Sequence, residues 1–512
     1  MHGCIIKTMQ PIFLDTRILD SYVREHFLLS HDIMMENAAA ALERELCAYN
    51  IVVIFAGAGN NGADGYALAR RISDNAKTVL VCPLDEPKSD LCKTQALRAR
   101  SVGITFCTVF EAVACLEQHK KNAVAVDCIF GSGFHGDLPE HVVSCIRQVN
   151  KTEAFCIACD VPTGISMQGH IHTSAFAADI TVTMGALKWC LFSDAAKNYV
   201  GHIVCADLGI HRSHFESCSE CSPEAMLLEP KDLKLPSRTN KAAHKGDFGH
   251  TAVIIGEKPG AAVIAASAAL RFGSGLVTVV NANRAHNGKT IPSAENNTFT
   301  NINLPYDIMH ATDFPANTTA VAAGMGLGRN EESAESAITW LTEHADIPCV
   351  LDADLFYAEG LKNFLKNRST AKCGSVVLTP HPKEFCALLE RCELGTYTVL
   401  QAVEQRAELT RRFCTQFPGI VLVLKGAVVT IGVKLHNQEK VRMFINPWGT
   451  PALAKGGSGD VLSGLIAALL AQKNSAIDAA CCASLAHALA SRIIRNDFAL
   501  TPFSLIQAVT EL

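Results

Sequence analysis

The sequence predicts an α/β protein of two domains, each built on a largely parallel sheet. Three observations lead there. The chain has 512 residues, more than one hydrophobic core usually serves. Continuous apolar runs of strand length recur in both halves, among them Asn50-Ile-Val-Val-Ile-Phe-Ala56 and Ile420-Val-Leu-Val-Leu424. These runs lead into glycine-rich or polar turns, and ligands of open parallel sheets collect beyond the carboxyl ends of strands.

Composition narrows the class. Hydrophobic residues make up 49% and charged residues 19%, the balance of a globular protein with large cores. A formal net charge of -5 gives no surface suited to nucleic acid or anionic lipid. No apolar run reaches the roughly 18–20 residues that span a bilayer, and Met1 to Gln10 lack a signal peptide's apolar core. Met1 and Met9 both remain as starts. The 21 cysteines, odd in number and spread through apolar segments, suit a reducing cytoplasm.

The N-terminal half is read in order. Residues 11–48 have helical spacing, with Glu36 and Asn37 open to either a surface or a site role. The strand at 50–56 runs into Gly57-Ala-Gly-Asn-Asn-Gly-Ala-Asp-Gly65, and a helix opens at Tyr66. Strand, glycine turn and helix form the layout of a nucleotide-phosphate site. Two adjacent Asn and an Asp are more polar groups than a plain turn needs. Further strands, Lys77–Cys82, Ala123–Asp127 and Ala154–Asp160, are expected. The last two end in Asp and lead to Gly131-Ser-Gly-Phe-His-Gly-Asp137 and Val161-Pro-Thr-Gly164. Asn61, Asp127, Asp160 and Thr163 are therefore expected to converge, and oxygen donors without His or Cys suit a hard cation. Lys188 reads equally as a surface cation or a reach-in catalytic group. This half is Rossmann-like: a three-layer, parallel-sheet domain over residues 1–210.

Residues 211–226 are polar, lack periodicity and read as a linker. Their His211, His214, Cys218 and Cys221 have the atoms to bind zinc, but the spacing fits no common finger.

The C-terminal domain, 227–512, repeats the alternation with different motifs. Its centre is Lys455-Gly-Gly-Ser-Gly-Asp-Val-Leu-Ser-Gly464, where glycines crowd the start of an apolar helix. Unpaired backbone N–H groups and the helix dipole favour an anion there. Asp460 reads about equally as an N-cap and as the base that takes a proton from a hydroxyl attacking phosphate.

Motif order decides between them. Lys245-Gly-Asp-Phe-Gly-His250, Ala269-Leu-Arg-Phe-Gly-Ser-Gly-Leu-Val277, Gly324-Met-Gly-Leu-Gly328, Thr379-Pro-His-Pro-Lys-Glu384, Val423-Leu-Lys-Gly-Ala427 and Gly456–Gly464 occur in sequence. Together they resemble the ribokinase-like family and, within it, the NAD(P)H-hydrate dehydratases. Met35-Glu36, Gly59–Gly65, Asp127, Gly131–Phe134 and Asp160–Gly164 resemble the NAD(P)H-hydrate epimerases. The fusion resembles the bifunctional NAD(P)H-hydrate repair enzymes of prokaryotes.

The resemblance implies a lyase and isomerase for damaged nicotinamide cofactors. NADH and NADPH gain water across a ring double bond, giving R and S hydrates at C6, NADHX and NADPHX. The N-terminal domain would epimerise them. The C-terminal domain would dehydrate the S form at the expense of ADP, with Mg²⁺, giving AMP and phosphate. Asp460 would activate the C6 hydroxyl. Ala261, Gly326, His381 and Asp460 match hydrate contacts, while Lys425, Gly426, Ala427, Val428, Val429, Gly457, Ser458 and Gly459 match nucleotide contacts. In the epimerase half the matched substrate positions are Asn60, Asn61, Gly62, Ala63 and Asp64; Gly131, Ser132, Gly133, Phe134, His135, Gly136 and Asp137; and Asp160. A potassium ion would sit among Asn61, Asp127 and Thr163, with Asp160 and Lys188 transferring protons. A cytoplasmic homo-oligomer binding small molecules, with no nucleic-acid or membrane partner, is expected. Departures from the family pattern are Ala63 for Gly, Thr163 for Ser, Ser458 for Thr and Thr450 for Asn. The alternative is a ribokinase-like small-molecule kinase, of hydroxymethylpyrimidine or sugar type, fused to a non-catalytic Rossmann-like binding module.

Overall fold

The structure is a computed structural model describing residues 9–74, 77–281, 304–328, 331–370 and 373–512. The reading of Met1 as a start lies outside the described residues. The chain divides into one unit of Gln10–Ala225 and another of Met226–Leu512 with Met9.

The first unit begins with β1 (Gln10–Phe13), α1 (Arg17–His26) and α2 (His31–Arg44). The apolar run then forms β2 (Ile51–Ala56), followed by α3 (Asn60–Arg71), β3 (Thr78–Pro83), α4 (Asp90–Ser101) and β4 (Thr105–Phe106). Next come α5 (Val109–Gln118), β5 (Ala123–Cys128), α6 (Glu140–Val149), β6 (Phe155–Cys159) and β7 (Ile180–Met184). The unit ends with β8 (Leu187–Lys188), β9 (His202–Ala206) and α7 (Arg212–Phe215). Its main sheet runs β4-β3-β2-β5-β6-β7-β9 with every pairing parallel. β1 pairs with β8. Chain order reverses direction between β2 and β5, so the loops after these strands part and leave a crevice. Helices cover both faces: Val52, Ile54 and Val126 pack on one side, Val53, Phe55 and Ala125 on the other. A strand buried on both faces needs the unbroken apolar run seen at 51–56.

The stretch 11–48 is mostly helical, through α1 and α2, with Ile12 and Phe13 entering first as a strand whose side chains are buried. One sequence expectation changes here. Residues 211–226 are not a free linker. Phe215 and Cys218 are buried in a cluster with Phe13, Leu19 and Val23, and this apolar anchoring draws most of the segment into the first unit.

The second unit contains β10 (Ala225–Leu227, of which Met226 and Leu227 belong here), β11 (His250–Ile255), α8 (Pro259–Arg271), β12 (Leu276–Asn281), β13 (Met309–Ala311) and β14 (Ala320–Ala323). Then follow α9 (Glu331–Glu343), β15 (Cys349–Leu351), α10 (Leu361–Arg368), β16 (Val376–Leu378), α11 (Pro382–Arg391), α12 (Val399–Glu404) and α13 (Arg406–Gln416). The unit closes with β17 (Val421–Leu424), β18 (Val429–Val433), β19 (Arg442–Asn446), α14 (Ser458–Ala471), α15 (Ala476–Ile493) and α16 (Pro502–Val509). The strand order within it is β13-β12-β11-β14-β15-β16-β17-β18-β19-β10. Pairing is parallel from β13 to β17 and antiparallel across β17-β18-β19.

Helix α14 is apolar on every side, and Val461 through Ala471 are all buried. Such a helix belongs inside a core. Burial of each large aliphatic side chain contributes about 1.5–3 kcal/mol. Gly464 allows close packing on α8, where a Cβ would meet Ala265 O at 2.2 Å. The start of α14 is thereby held rigidly. No helix among the described residues is long and apolar enough to cross a membrane.

Candidate active sites

The first site lies in the crevice of the first unit. A cavity of about 510 Å³ is lined by the start of α3, the loop after β5, Asp160 after β6, Lys188 of β8, and residues of α1 and α2. The turn before α3 is tight, since a Cβ at Gly57 would lie 2.0 Å from Ile129 O. Gly59 caps α3 with no side-chain acceptor and the first turn carries no acid, so its amides face the cavity open to an anion.

Asp160 and Lys188 form the charged centre. Lys188 Nζ lies 2.7 Å from Asp160 Oδ1, and both side chains are largely buried. Ser132 donates to Asp160 Oδ2 from its backbone N–H at 2.9 Å and its hydroxyl at 2.8 Å. Met184 N donates to Oδ1 at 3.4 Å. Burial works against ionisation of Asp160, but Lys188 and Ser132 outweigh it and hold the carboxyl below its ordinary value. Burial likewise opposes the charge on Lys188, and Asp160 restores it. A carboxylate with this many donors is held as an anion in the free protein, at a backbone φ of +69°. Lys188 is buried and engaged, not a surface cation.

Asp127 is fully buried at the end of β5. Its Oδ2 accepts from Thr163 N at 2.7 Å; its Oδ1 accepts from the Thr163 hydroxyl at 2.7 Å and Ile129 N at 3.0 Å. Phe130 O lies 3.2 Å from that hydroxyl. Burial first, against these donors, pushes Asp127 up to about 6. Asn61 Nδ2 is buried without a partner. Turning this amide over would bring its oxygen to the same buried place, where a cation would satisfy it. The Asp127 carboxylate, the Thr163 hydroxyl and the Phe130 carbonyl lie together, and oxygen donors of this kind fit a hard cation.

Of the other expected contacts, Asn60, Asn61, Asp64, Gly131, Ser132, Gly133 and Phe134 line the cavity. Gly62 and Ala63 do not. The Ala63 methyl is fully buried in the hydrophobic core, so this departure from glycine lies behind the site. His135, Gly136 and Asp137 also lie outside the lining. Sequence reasoning missed Asp20, a lining residue of α1 whose helix offered no motif.

The second site is assembled at the carboxyl ends of β14 to β17. Gly457 takes φ +88°, and a Cβ there would meet Pro502 Cγ at 2.4 Å, so this position requires glycine. His487 of α15 locks the next residue, with Nε2 2.9 Å from Ser458 O and 3.1 Å from Ser458 Oγ. Asp460 and Ser463 share a face of α14. Ser463 Oγ donates to Asp352 Oδ2 at 2.7 Å, and Lys425 Nζ reaches Asp352 Oδ1 at 2.9 Å. A Cβ on Gly459 would sit 3.2 Å from that ammonium. Asp352 thus joins the ends of β15 and β17 to the first turns of α14.

Among the described residues no donor bonds the Asp460 carboxylate. Burial, then the charge of Asp352, push it up to about 7 against the pull of Lys425. Asp460 is therefore not a side-chain cap: Gly457 occupies that position and no side chain bonds the helix start. His381 caps α11 through Nδ1, which accepts from Glu384 N at 3.2 Å, and its Nε2 lies 3.1 Å from Glu384 Oε1. Burial and then Lys425 lower its pKa, so the ring is neutral. Glu384 also approaches Lys425 at 3.7 Å. Gly326 lies against Ala261, where an added Cβ would be 3.0 Å from the Ala261 methyl. Gly426 and Ala427 are exposed between β17 and β18, Val428 is buried and Val429 half-buried. Thr450 bonds Ser491 Oγ at 3.0 Å. Asp352 was passed over in sequence reasoning, though it stands just past β15 and before a turn, the signal that marked Asp127 and Asp160; Glu384 was quoted only as the end of a motif and stands in the first turn of α11.

Among the described residues no three His, Cys, Asp or Glu stand together as metal ligands. His211 caps α7.

Comparison with known proteins gives matches in both halves. The family model described as NAD(P)H-hydrate dehydratase matches residues 251–511, and that described as YjeF-related protein N-terminus matches 31–190. A bifunctional NAD(P)H-hydrate repair enzyme of Helicobacter pylori is 40% identical over 98% of this chain and 100% of its own. A repair enzyme of the same description from Pyrobaculum aerophilum is 31% identical over 90% of this chain and 88% of its own. Among solved structures, an ADP/ATP-dependent NAD(P)H-hydrate dehydratase of Bacillus subtilis is 26% identical, covering 54% of this chain and 92% of its own with a TM-score of 0.43.

Proposed function

The chain belongs to the bifunctional NAD(P)H-hydrate repair enzymes, and from that premise we propose how its two units divide the work. The N-terminal unit interconverts the R and S hydrates of NADH and NADPH. The C-terminal unit dehydrates the S form at the expense of ADP, releasing AMP and phosphate.

Asp460 carries the reading of the second unit. A general base works best when its pKa lies near the working pH and nothing occupies its lone pairs. Asp460 meets both conditions, raised to about 7 and unbonded at a glycine-lined helix start. It takes the proton of the C6 hydroxyl as that oxygen attacks the terminal phosphate of ADP. The amide of Gly459 and the Lys425 ammonium stabilise the charge on the transferring group. The phosphate ester then leaves C6, and loss of a proton from the neighbouring carbon restores the double bond. Phosphorylation thus turns a poor leaving group into a good one. Magnesium would ride on the nucleotide phosphates, for which Asp352 and Glu384 are the nearby carboxylates. It would supply positive charge.

In the first unit, a potassium ion would be held by Asn61, Asp127 and Thr163, where the orphaned Asn61 amide supports it. It would offset the buried Asp127 charge beside the cavity. The R hydrate's phosphates would lie on the open amides of α3, with its ring toward Asp160 and Lys188. The free state of every described cysteine supports a reducing cytoplasm. The kinase alternative is set aside, because full-length relatives match both halves together.

The test incubates the full chain with separately purified R and S hydrates, with ADP, ATP or neither. The S form should regain reduced-nicotinamide absorbance only with nucleotide, and the R form should follow through the S form. An S hydrate left unconverted with both nucleotides overturns the reading.

A further inference from the structure

Three acids line the N-terminal cavity and they are not equivalent. Asp160 is saturated: Lys188, Ser132 and Met184 occupy both its oxygens, so it neither gives nor takes a proton without breaking that cluster. Asp64 has Cys159 Sγ 3.9 Å from its Oδ2, and burial, then the Asp160 charge, hold it well above the ordinary carboxylate range. It stays neutral. The remaining acid is Asp20.

Asp20 is built in rigidly. It stands in the first turn of α1, its N–H bonded to Thr16 O at 3.0 Å, and Leu19 and Val23 anchor the helix with no exposure. A helix dipole would explain an exposed Asp in a first turn. This one faces the cavity, and no donor among the described residues bonds its carboxyl. The groups that face it are Asp15 and Arg24 around its own helix, and Lys188, Asp160 and Asp64 from other elements. Arg17 and His31 line the same cavity.

We propose that Asp20 is the proton-transfer residue of the N-terminal cavity, with the Asp160–Lys188 pair as a fixed charged wall beside it. The proposal rests on the epimerase reading of this unit. C6 of the hydrate carries a hydroxyl and adjoins the ring nitrogen. Protonated Asp20 gives its proton to that hydroxyl, the C6–O bond breaks and water leaves. The nitrogen lone pair forms a C6–N double bond, and the resulting cation faces the Asp160 carboxylate. The planar ring turns over about its bond to the ribose, water adds to the face of C6 now toward Asp20, and its proton returns to Asp20. One C–O bond breaks and one forms, the proton is recovered, and no co-reactant is consumed. Burial pushes Asp20 up to about 6, with Lys188 opposing, so both protonation states are accessible near neutrality.

The test measures R-to-S conversion of purified R hydrate by the full chain, above the uncatalysed rate. Asp20→Asn should lower kcat by about 10²-fold or more with KM little changed. Asp20→Glu should retain part of the activity, and added formate should restore part of it to Asp20→Ala. Far-UV circular dichroism and denaturant unfolding of each full-chain variant serve as the control for folding, and ADP-dependent conversion of the S hydrate as the control for the other unit. Near-wild-type kcat in Asp20→Asn, a loss confined to KM, or no rescue of a folded Asp20→Ala overturns the proposal while leaving the epimerase reading intact. A wild-type protein that does not accelerate the conversion at all overturns the reading itself, and the proposal with it.

Discussion

Lys425 Nζ and Asp352 Oδ1 lie 2.9 Å apart, and this pair sets the electrostatics of Asp460 from both sides. Asp352 raises the Asp460 pKa and Lys425 lowers it. The acid limb of dehydratase kcat/KM reports Asp460 in the free enzyme, so activity should rise with pH through about 7. Asp352→Asn removes the repelling charge and frees Lys425, and both effects move the limb to lower pH. Lys425→Met removes the attracting charge, moves the limb to higher pH and raises the KM for ADP. A pH profile of each variant checks the two opposite signs.

Asp460→Asn keeps the size of the side chain but removes the base. Dehydration of the S hydrate should fall by about 10²–10⁴-fold. The R and S forms should still interconvert at the wild-type rate, because that chemistry is assigned to the other unit. Chromatography of the two hydrates with ADP present measures both activities in one mixture. Near-full dehydration by Asp460→Asn would remove the base assignment.

Much of this was legible because parallel sheets announce themselves. The apolar run at 51–56 reads as a strand buried on both faces, and it is one; the glycines at 57–65 read as the turn after it, but the turn is only 57–59, because α3 opens at Asn60 and not at Tyr66. Asp460 was found because its neighbours form a motif. Asp20 was invisible for the opposite reason. It lies on α1, whose sequence reads as an ordinary amphipathic helix, and only the tertiary fold brings it to a cavity with Asp160, some 140 positions away in the chain. Ala63 shows the converse: a motif position that faces the core. Asp352 was passed over because its pairing with Lys425 and Ser463 joins residues far apart in sequence.

Gly131→Ala tests the cradle around Asp160. The added Cβ would lie 2.7 Å from Asp160 Oδ2 and 3.4 Å from Asn61 Oδ1. Asp160 cannot retreat without loosening Lys188 and Ser132. Overpacking of this kind costs about 1–3 kcal/mol. The expected result is a roughly tenfold or greater loss of epimerase activity with unchanged dehydration of the S hydrate. Parallel assays with R and S substrates read the difference, and equal losses in both would mean general destabilisation.

His487 makes the second unit acid-sensitive. Burial, against the hydrogen bond to Ser458, lowers its pKa from 6.5 to about 4, so the fold requires the neutral ring. In the unfolded chain the ring takes up a proton below about 6.5. Stability from this group is therefore complete at neutral pH and is lost as pH falls through that window toward about 4. The loss is on the order of 3 kcal/mol. His487→Gln retains a donor for Ser458 O but has nothing to protonate, so it should flatten this part of the profile. Denaturant unfolding of the full chain across the window, wild type beside the variant, measures the difference; parallel profiles would assign the acid loss to other groups. Because His487 reaches Ser458, beside the Gly459 amide proposed for phosphate, protonation of the folded ring at a pH of about 4 should also weaken ADP binding.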